Sequence, residues 1–258
     1  MHGHLVLWDV DHTLIDAGGL SSHLYGLVFA GLFGRELPAV ASMAGRTDRA
    51  IILETLAQAG IADPGSHVEE FIGGLTVAAP QFGERVRLRG RALPGAAEAL
   101  AALADVSMVP SDGLAVAPDG LVVPSEGLAA LPQGVAVQSV LTGNIRPLAE
   151  AKLGALGLAA HLNLDVGAYG DAHEDRAELV HLARRRAARA YGRDFGGTAT
   201  VIVGDTPLDV RAALVTGARA VGVATGYANA AELAAAGAHV VLPDLTDTDR
   251  VLAAILTM

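Results

Sequence analysis

The chain has 258 residues, of which 52% are hydrophobic and 18% charged, a composition that places it among folded globular proteins and away from disordered ones. A formal net charge of −10 argues against a nucleic-acid-binding surface, which needs a basic patch. The absence of cysteine excludes disulfides, thiolate nucleophiles and thiolate metal sites. No apolar run approaches the roughly 18 residues of a membrane span, and the N-terminus carries no basic flank or signal-type core, so no membrane association and a cytoplasmic location are expected.

In chain order, the first apolar run is HLVLW (4–8), which stops at two aspartates one residue apart, Asp9 and Asp11, followed by Thr13. Residues 18–90 then read as helices without strands: GLSSHLYGLVFAGLFG, TDRAIILETLAQAG and HVEEFIGGLTVAAPQFGERV. Residues 105–134 hold a loose repeat of three [DE]-G-L units with Pro at the boundaries, which cannot continue a helix and reads as an irregular surface insertion. After it, four runs predict strands: VQSVL (137–141), the weaker LNLDVG (162–167), TATVIVG (198–204) and ARAVGVAT (218–225); HVVL (239–242) is a further candidate. Helical patterns fall between them at 147–157, 174–192, 207–217 and 228–237. The basic run Arg184, Arg185, Arg186 and Arg189 reads as a solvated helix face.

Near-continuously apolar strands alternating with helices predict a doubly wound α/β fold with a parallel sheet, in which ligands bind at the carboxyl ends of the strands. Residues 1–17 and 91–258 would form this Rossmann-like core. Residues 18–90, inserted directly after the first strand, would form a helical cap over the strand ends. Polar clusters follow three of the apolar runs: Asp9 and Asp11, then Thr142-Gly143-Asn144, then Gly204-Asp205-Thr206-Pro207-Leu208-Asp209.

Two carboxylates at the end of a buried strand repel each other, so a cation or a reaction is expected between them. Mg²⁺ takes oxygen ligands, usually one or two carboxylates plus water and a substrate phosphate, and Asp205 could add another oxygen. With the cation bound, one carboxylate can attack phosphorus while the other handles the leaving-group proton. Thr142 with the amides of Gly143 and Asn144 suits the phosphoryl oxygens. Taken singly, each cluster could be only a cap or a turn.

The set Asp9-Val10-Asp11-His12-Thr13, Thr142-Gly143-Asn144 and Gly204-Asp205-Thr206-Pro207-Leu208-Asp209 resembles the haloacid dehalogenase-like superfamily, and most closely its phosphoglycolate-phosphatase-like members with a helical cap. The resemblance implies a Mg²⁺-dependent phosphatase that hydrolyses a small phosphorylated metabolite, phosphoglycolate- or sugar-phosphate-like, through an aspartyl-phosphate. It makes Asp9 the nucleophile and a metal ligand, and Asp11 the general acid/base with its carbonyl on the metal. Thr142 would bind the phosphoryl group, with Thr13, Gly143 and Asn144 on the substrate; Asp205 would ligate the metal and Asp209 support it. The usual Lys-Pro pair is absent; Arg176 is the favoured phosphoryl-site cation and Lys152 the alternative, unless Lys152 is a helix-surface residue. Gly45-Arg46-Thr47-Asp48 resembles a specificity loop whose Arg46 would read a second substrate anion; its plainer reading is a surface Arg beside an N-cap at Thr47 or Asp48. A phosphomutase, or a non-catalytic binding protein on the same fold, remains the alternative, and the oligomeric state is not read from the sequence.

Overall fold

A computed structural model describes residues 3–108 and 136–257. Five strands form one parallel sheet: β1 (His4–Trp8), β4 (Ala136–Val140), β5 (Thr200–Gly204), β6 (Arg219–Val223) and β7 (Val240–Leu242), in the order β4-β1-β5-β6-β7. Both faces are covered, and the first strand shows why. Val6 and Trp8 enter one apolar layer with Leu100, Leu103 and Ile255, whereas Leu5 and Leu7 enter the other with Leu179, Ala183 and Phe195. A strand buried on both sides cannot alternate apolar with polar, so it appears in the sequence as an unbroken apolar run. Each such Leu or Val contributes on the order of 1.5–3 kcal/mol through burial.

Helices connect the strands on both faces: α4 (Ala96–Met108), α5 (Arg146–Ala155), α6 (Arg176–Tyr191), α7 (Pro207–Val215), α8 (Ala230–Ala235) and α9 (Thr248–Leu256). Between β1 and α4 the chain leaves the sheet through a short strand, β2 (Ile15–Asp16). It forms α1 (Leu20–Phe33), α2 (Asp48–Gln58) and α3 (Val68–Arg89), and returns through β3 (Arg91–Ala92), antiparallel to β2. The three helices share an apolar cluster of Leu24, Phe29, Ile52, Phe71 and Leu75 that runs on into Ile145 and Leu148 beside and within α5.

Several expectations are corrected. The run LNLDVG forms no strand: Asp165 N donates to Asn163 Oδ1 (3.2 Å), a local side-chain turn that competes with ladder pairing, and the run meets β4 through Asn163 N to Gln138 O (2.8 Å), with a single bridge beyond it between Leu141 and Ala168. The basic run of α6 is not a uniformly solvated face. Arg184 donates to Thr200 Oγ1 (2.9 Å) and to the Thr216 and Gly197 carbonyls, and Arg186 donates to the Gly167 carbonyl. Of the segment 105–134, residues 105–108 complete α4, and the [DE]-G-L units lie outside the described residues. No helix among the described residues is long and apolar enough to cross a membrane.

Candidate active site

Because β1 lies between β4 and β5, the three polar clusters emerge side by side at the carboxyl end of the sheet. The chain turns hard after β1. His12 takes a left-handed conformation (φ 60°), rare for a residue with a side chain, and the turn is closed by His12 N to Ile15 O (2.7 Å) and Leu14 N to Val10 O (3.0 Å). This turn sends Asp9 and Asp11 towards two different cations.

Asp9 is buried, and its Oδ1 accepts from Arg176 Nη2 at 2.5 Å. The same Nη2 lies 2.6 Å from Asp209 Oδ1 and donates to the Leu141 carbonyl (2.8 Å). Arg176 is the first residue of α6, with Asp175 as N-cap accepting from Ala177 N. Asp209 is fixed twice over: it closes a capping box with Thr206 at the start of α7 and pairs with Arg176. Asp205 accepts a long bond from the fully buried Thr13 hydroxyl (3.4 Å), while its buried Oδ2 has no hydrogen-bond partner among the described residues. Burial pushes the Asp9 carboxyl up against the pull of Arg176, with Asp209 and Asp11 adding to the rise; burial, Asp9 and Asp209 push Asp205 up likewise.

Asp11 faces the other way. Lys152 Nζ, from α5, lies 2.8 and 2.7 Å from its two carboxylate oxygens and 2.6 Å from Asn144 Oδ1. Lys152 is only 1% exposed, which overturns its reading as a surface lysine. Burial raises the Asp11 carboxyl, but the Lys152 ammonium, with the Asn144 amide, outweighs that and holds it below the ordinary range. Asn144 joins the parts: Nδ2 donates to Asp11 Oδ2 (2.7 Å) and to Thr142 Oγ1 (2.7 Å), and its backbone N–H also donates to Thr142 Oγ1 (3.2 Å). With both acceptor sites used, the Thr142 hydroxyl keeps its hydrogen to donate. Thus Arg176 and Lys152, read as alternatives, both reach the site, one on each aspartate.

A cleft of about 150 Å³ opens above these groups, walled on the far side by α1 and α2 and the loop before α2. That loop is tied to the core: Asp48 N donates to Gly143 O (2.6 Å), Arg49 N to Gly170 O (3.2 Å), and Thr47 Oγ1 to Glu174 O (3.1 Å). Here lies the reason for glycine at 143, where a Cβ would overlap the Arg46 carbonyl. Thr47 is the N-cap of α2, accepting from Ala50 N. Arg46 lines the cleft, but its guanidinium is held by Glu54 Oε2 (2.5 Å) and by the Ser42 and Ala50 carbonyls. Thr13 stands behind Asp205 and is not part of the cleft wall.

Sequence reasoning missed two features. The buried Asp48 carboxylate accepts from Tyr25 Oη (2.6 Å) and Ile145 N (2.8 Å), which joins α1, α2 and the start of α5. The loop after β6 brings Gly226 so close that a Cβ there would overlap the Asp205 carboxylate, and it sets the exposed Tyr227 edge-on to His12 at the cleft mouth (ring centroids 4.8 Å). A Gly-Tyr pair directly after a strand was the available signal.

The residues present fit a divalent cation. Asp9, Asp205 and Asp209 each offer an oxygen, all within 4.8 Å of one another. Three carboxylates against one guanidinium leave two negative charges uncompensated, and the orphaned Asp205 Oδ2 is an oxygen that a hard cation would satisfy.

The result is a parallel α/β core with carboxylates at two adjacent strand ends, Thr142 and Asn144 at a third, and helices inserted after β1. Residues 179–248 match the HAD-hydrolase-like family, and solved structures similar over nearly the whole chain include members of that group. A haloacid dehalogenase-like hydrolase from Streptococcus pneumoniae is 14% identical, with 98% of each chain covered and a TM-score of 0.58. A predicted phosphatase from Clostridium acetobutylicum is 16% identical, covering 98% of this chain and 99% of that one, with a TM-score of 0.60. A hydrolase from Pseudomonas syringae is 21% identical over 97% of each chain, also at 0.60. No curated protein matches the chain in sequence.

Proposed function

We propose that the chain is a Mg²⁺-dependent phosphatase acting on a small phosphomonoester. The observation that carries this reading is the convergence, at one end of the cleft, of Asp9, a cluster of two further carboxylates, the Arg176 guanidinium and a Thr142 hydroxyl with a hydrogen to donate.

Asp9, Asp205 and Asp209 would hold the cation, with Asp209 also pairing Arg176. When bound, the cation supplies charge neutralisation for the carboxylates and the phosphoryl oxygens. Arg176 and Thr142 would orient and neutralise the equatorial oxygens of the phosphoryl group, which is most of what phosphoryl transfer asks of a protein. Asp9 would attack phosphorus and form an acyl phosphate as the ester oxygen departs. Asp11 would give that oxygen a proton and afterwards take one from the water that hydrolyses the intermediate, so that phosphate leaves and both aspartates are restored. Paired with Lys152, Asp11 is ionised, the form needed to activate water. Its acid role requires it to take up a proton against that ammonium.

Phosphate release from a panel of small phosphomonoesters, with Mg²⁺ and with EDTA and beside an Asp9→Asn control, tests the reading. Release that needs Mg²⁺ and is lost in the control is the expected result. Mg²⁺ should also raise the melting temperature of the wild type and less so that of Asp205→Asn. A folded wild type that neither releases phosphate nor gains stability from Mg²⁺ would sink it. Appearance of an isomeric ester in place of phosphate would assign a mutase.

A further inference from the structure

The cleft says something about the leaving group, given the phosphatase reading above. A phosphoryl group between Asp9, Thr142 and Arg176 directs its ester oxygen towards the cap side. There the wall carries an apolar set, Leu24, Met43 and Ile51 from the inserted segment and Leu148 from α5, beside the uncharged Ser21 and Ser22, with Tyr227 at the mouth. Among the described residues lining the cleft, Arg46 and Arg176 alone are Lys or Arg, and neither is free to meet a carboxylate on the leaving alcohol. Arg176 pairs with Asp9 and Asp209 and, in the reading above, faces the phosphoryl group. Arg46 is neutralised by Glu54 and holds two backbone carbonyls. Arg49, the other cation of that loop, turns away to Glu69 and the Asp171 carbonyl. Lys152 is taken by Asp11 and Asn144. A substrate carboxylate entering this wall would be desolvated with no cation to meet it, and the Asp48 carboxyl already lines the same cleft.

We propose that the chain selects phosphomonoesters of small uncharged alcohols with an apolar body, and discriminates against esters whose alcohol carries a carboxylate, as phosphoglycolate does. The whole cleft, phosphoryl site included, has a volume of about 150 Å³, which limits the alcohol to a small one. The sequence-level expectation that Arg46 reads a second anion gives way here, because Glu54 already occupies that arginine.

The test is a pair of non-hydrolysable ligands, phenylphosphonate and phosphonoacetate, titrated calorimetrically against the intact protein with Mg²⁺ present. Phenylphosphonate should bind at least about tenfold more tightly, as expected when one ligand buries an unpaired carboxylate and the other does not. Glu54→Gln, which leaves the phosphoryl site untouched and frees Arg46, should narrow that ratio by strengthening phosphonoacetate. Tighter binding of phosphonoacetate by the wild type, or a ratio that Glu54→Gln leaves unmoved, overturns the proposal. Turnover of phenyl phosphate and phosphoglycolate, measured alongside, reads the phosphatase assignment separately. If neither ester is hydrolysed while the binding preference holds, the activity falls and the selectivity of the cleft stands.

Discussion

Lys152 Nζ sits 2.7 Å from Asp11 Oδ2 while Arg176 Nη2 sits 2.5 Å from Asp9 Oδ1, so each aspartate of the pair after β1 has its own buried cation. Two carboxylates two residues apart are tolerated at a buried strand end because the turn at His12 separates their fields and a different helix neutralises each.

Lys152 is therefore expected to set the working range of Asp11. Lys152→Gln keeps a donor for the carboxylate but removes the charge, and the acidic limb of the kcat/KM profile should move upward by about one pH unit, the low end of what an adjacent opposite charge does. A pH–rate profile over the acid range checks this. A lower but parallel profile, with its limb unmoved, would mean that Lys152 only supports the fold.

Arg176 is expected to act on the transferring group as well as on Asp9. Arg176→Gln should lower kcat by about 10²- to 10³-fold, the usual effect of removing one preorganised charge from a phosphoryl or oxyanion site. Arg176→Lys, which keeps the charge but loses the second fork nitrogen that reaches the Gly45 carbonyl (3.4 Å), should fall between that variant and the wild type. Steady-state kinetics on both, with circular dichroism to confirm folding, decides the matter. An unchanged kcat in a folded Arg176→Gln protein would reduce Arg176 to a counter-ion.

Asp48 carries a pH signature of its own. Burial, opposed by its bonds from Tyr25 and Ile145, pushes its carboxyl up from an ordinary 3.8 to about 6. Between those values the folded protein keeps a proton that the unfolded chain has released, so stability falls as pH rises from about 4 to about 6 and this contribution is flat above. The drop is on the order of 2–3 kcal/mol. Asp48→Asn, whose amide can be met by the Tyr25 oxygen acting as acceptor, should flatten that part of the curve. Urea unfolding of both proteins at intervals across this range measures it, and identical slopes would refute the assignment.

Much of the core could be read from residues alone because a parallel strand buried on both faces must be an apolar run, as in Leu5–Trp8 and Val201–Val203. The reactive groups could be read because they follow such runs directly. What escaped was set by tertiary packing. Nothing in the spacing of Lys152 distinguishes a lysine on the surface of α5 from one turned inward, since that depends on where Asp11 and Asn144 stand. Thr47 and Asp48 both read as the helix cap; the cap is Thr47, and the Asp48 carboxylate instead bridges α1 and the start of α5. Arg46 looked available because its partner Glu54 lies eight residues on, within α2, and only the fold of the loop before that helix brings the two together.

The central position of β1 has a consequence for how the molecule comes into being. Asp9 is made early in synthesis, yet its guanidinium partner follows 167 residues later, and Thr13 waits 192 residues for Asp205. Until α6 and β5 have docked, β1 ends in a carboxylate, Asp9, with no counter-charge and has no neighbour on one edge. Contacts of such long sequence separation form late. Competence thus arrives only when the sheet is complete, and a half-made chain has no partial version of this site to misuse.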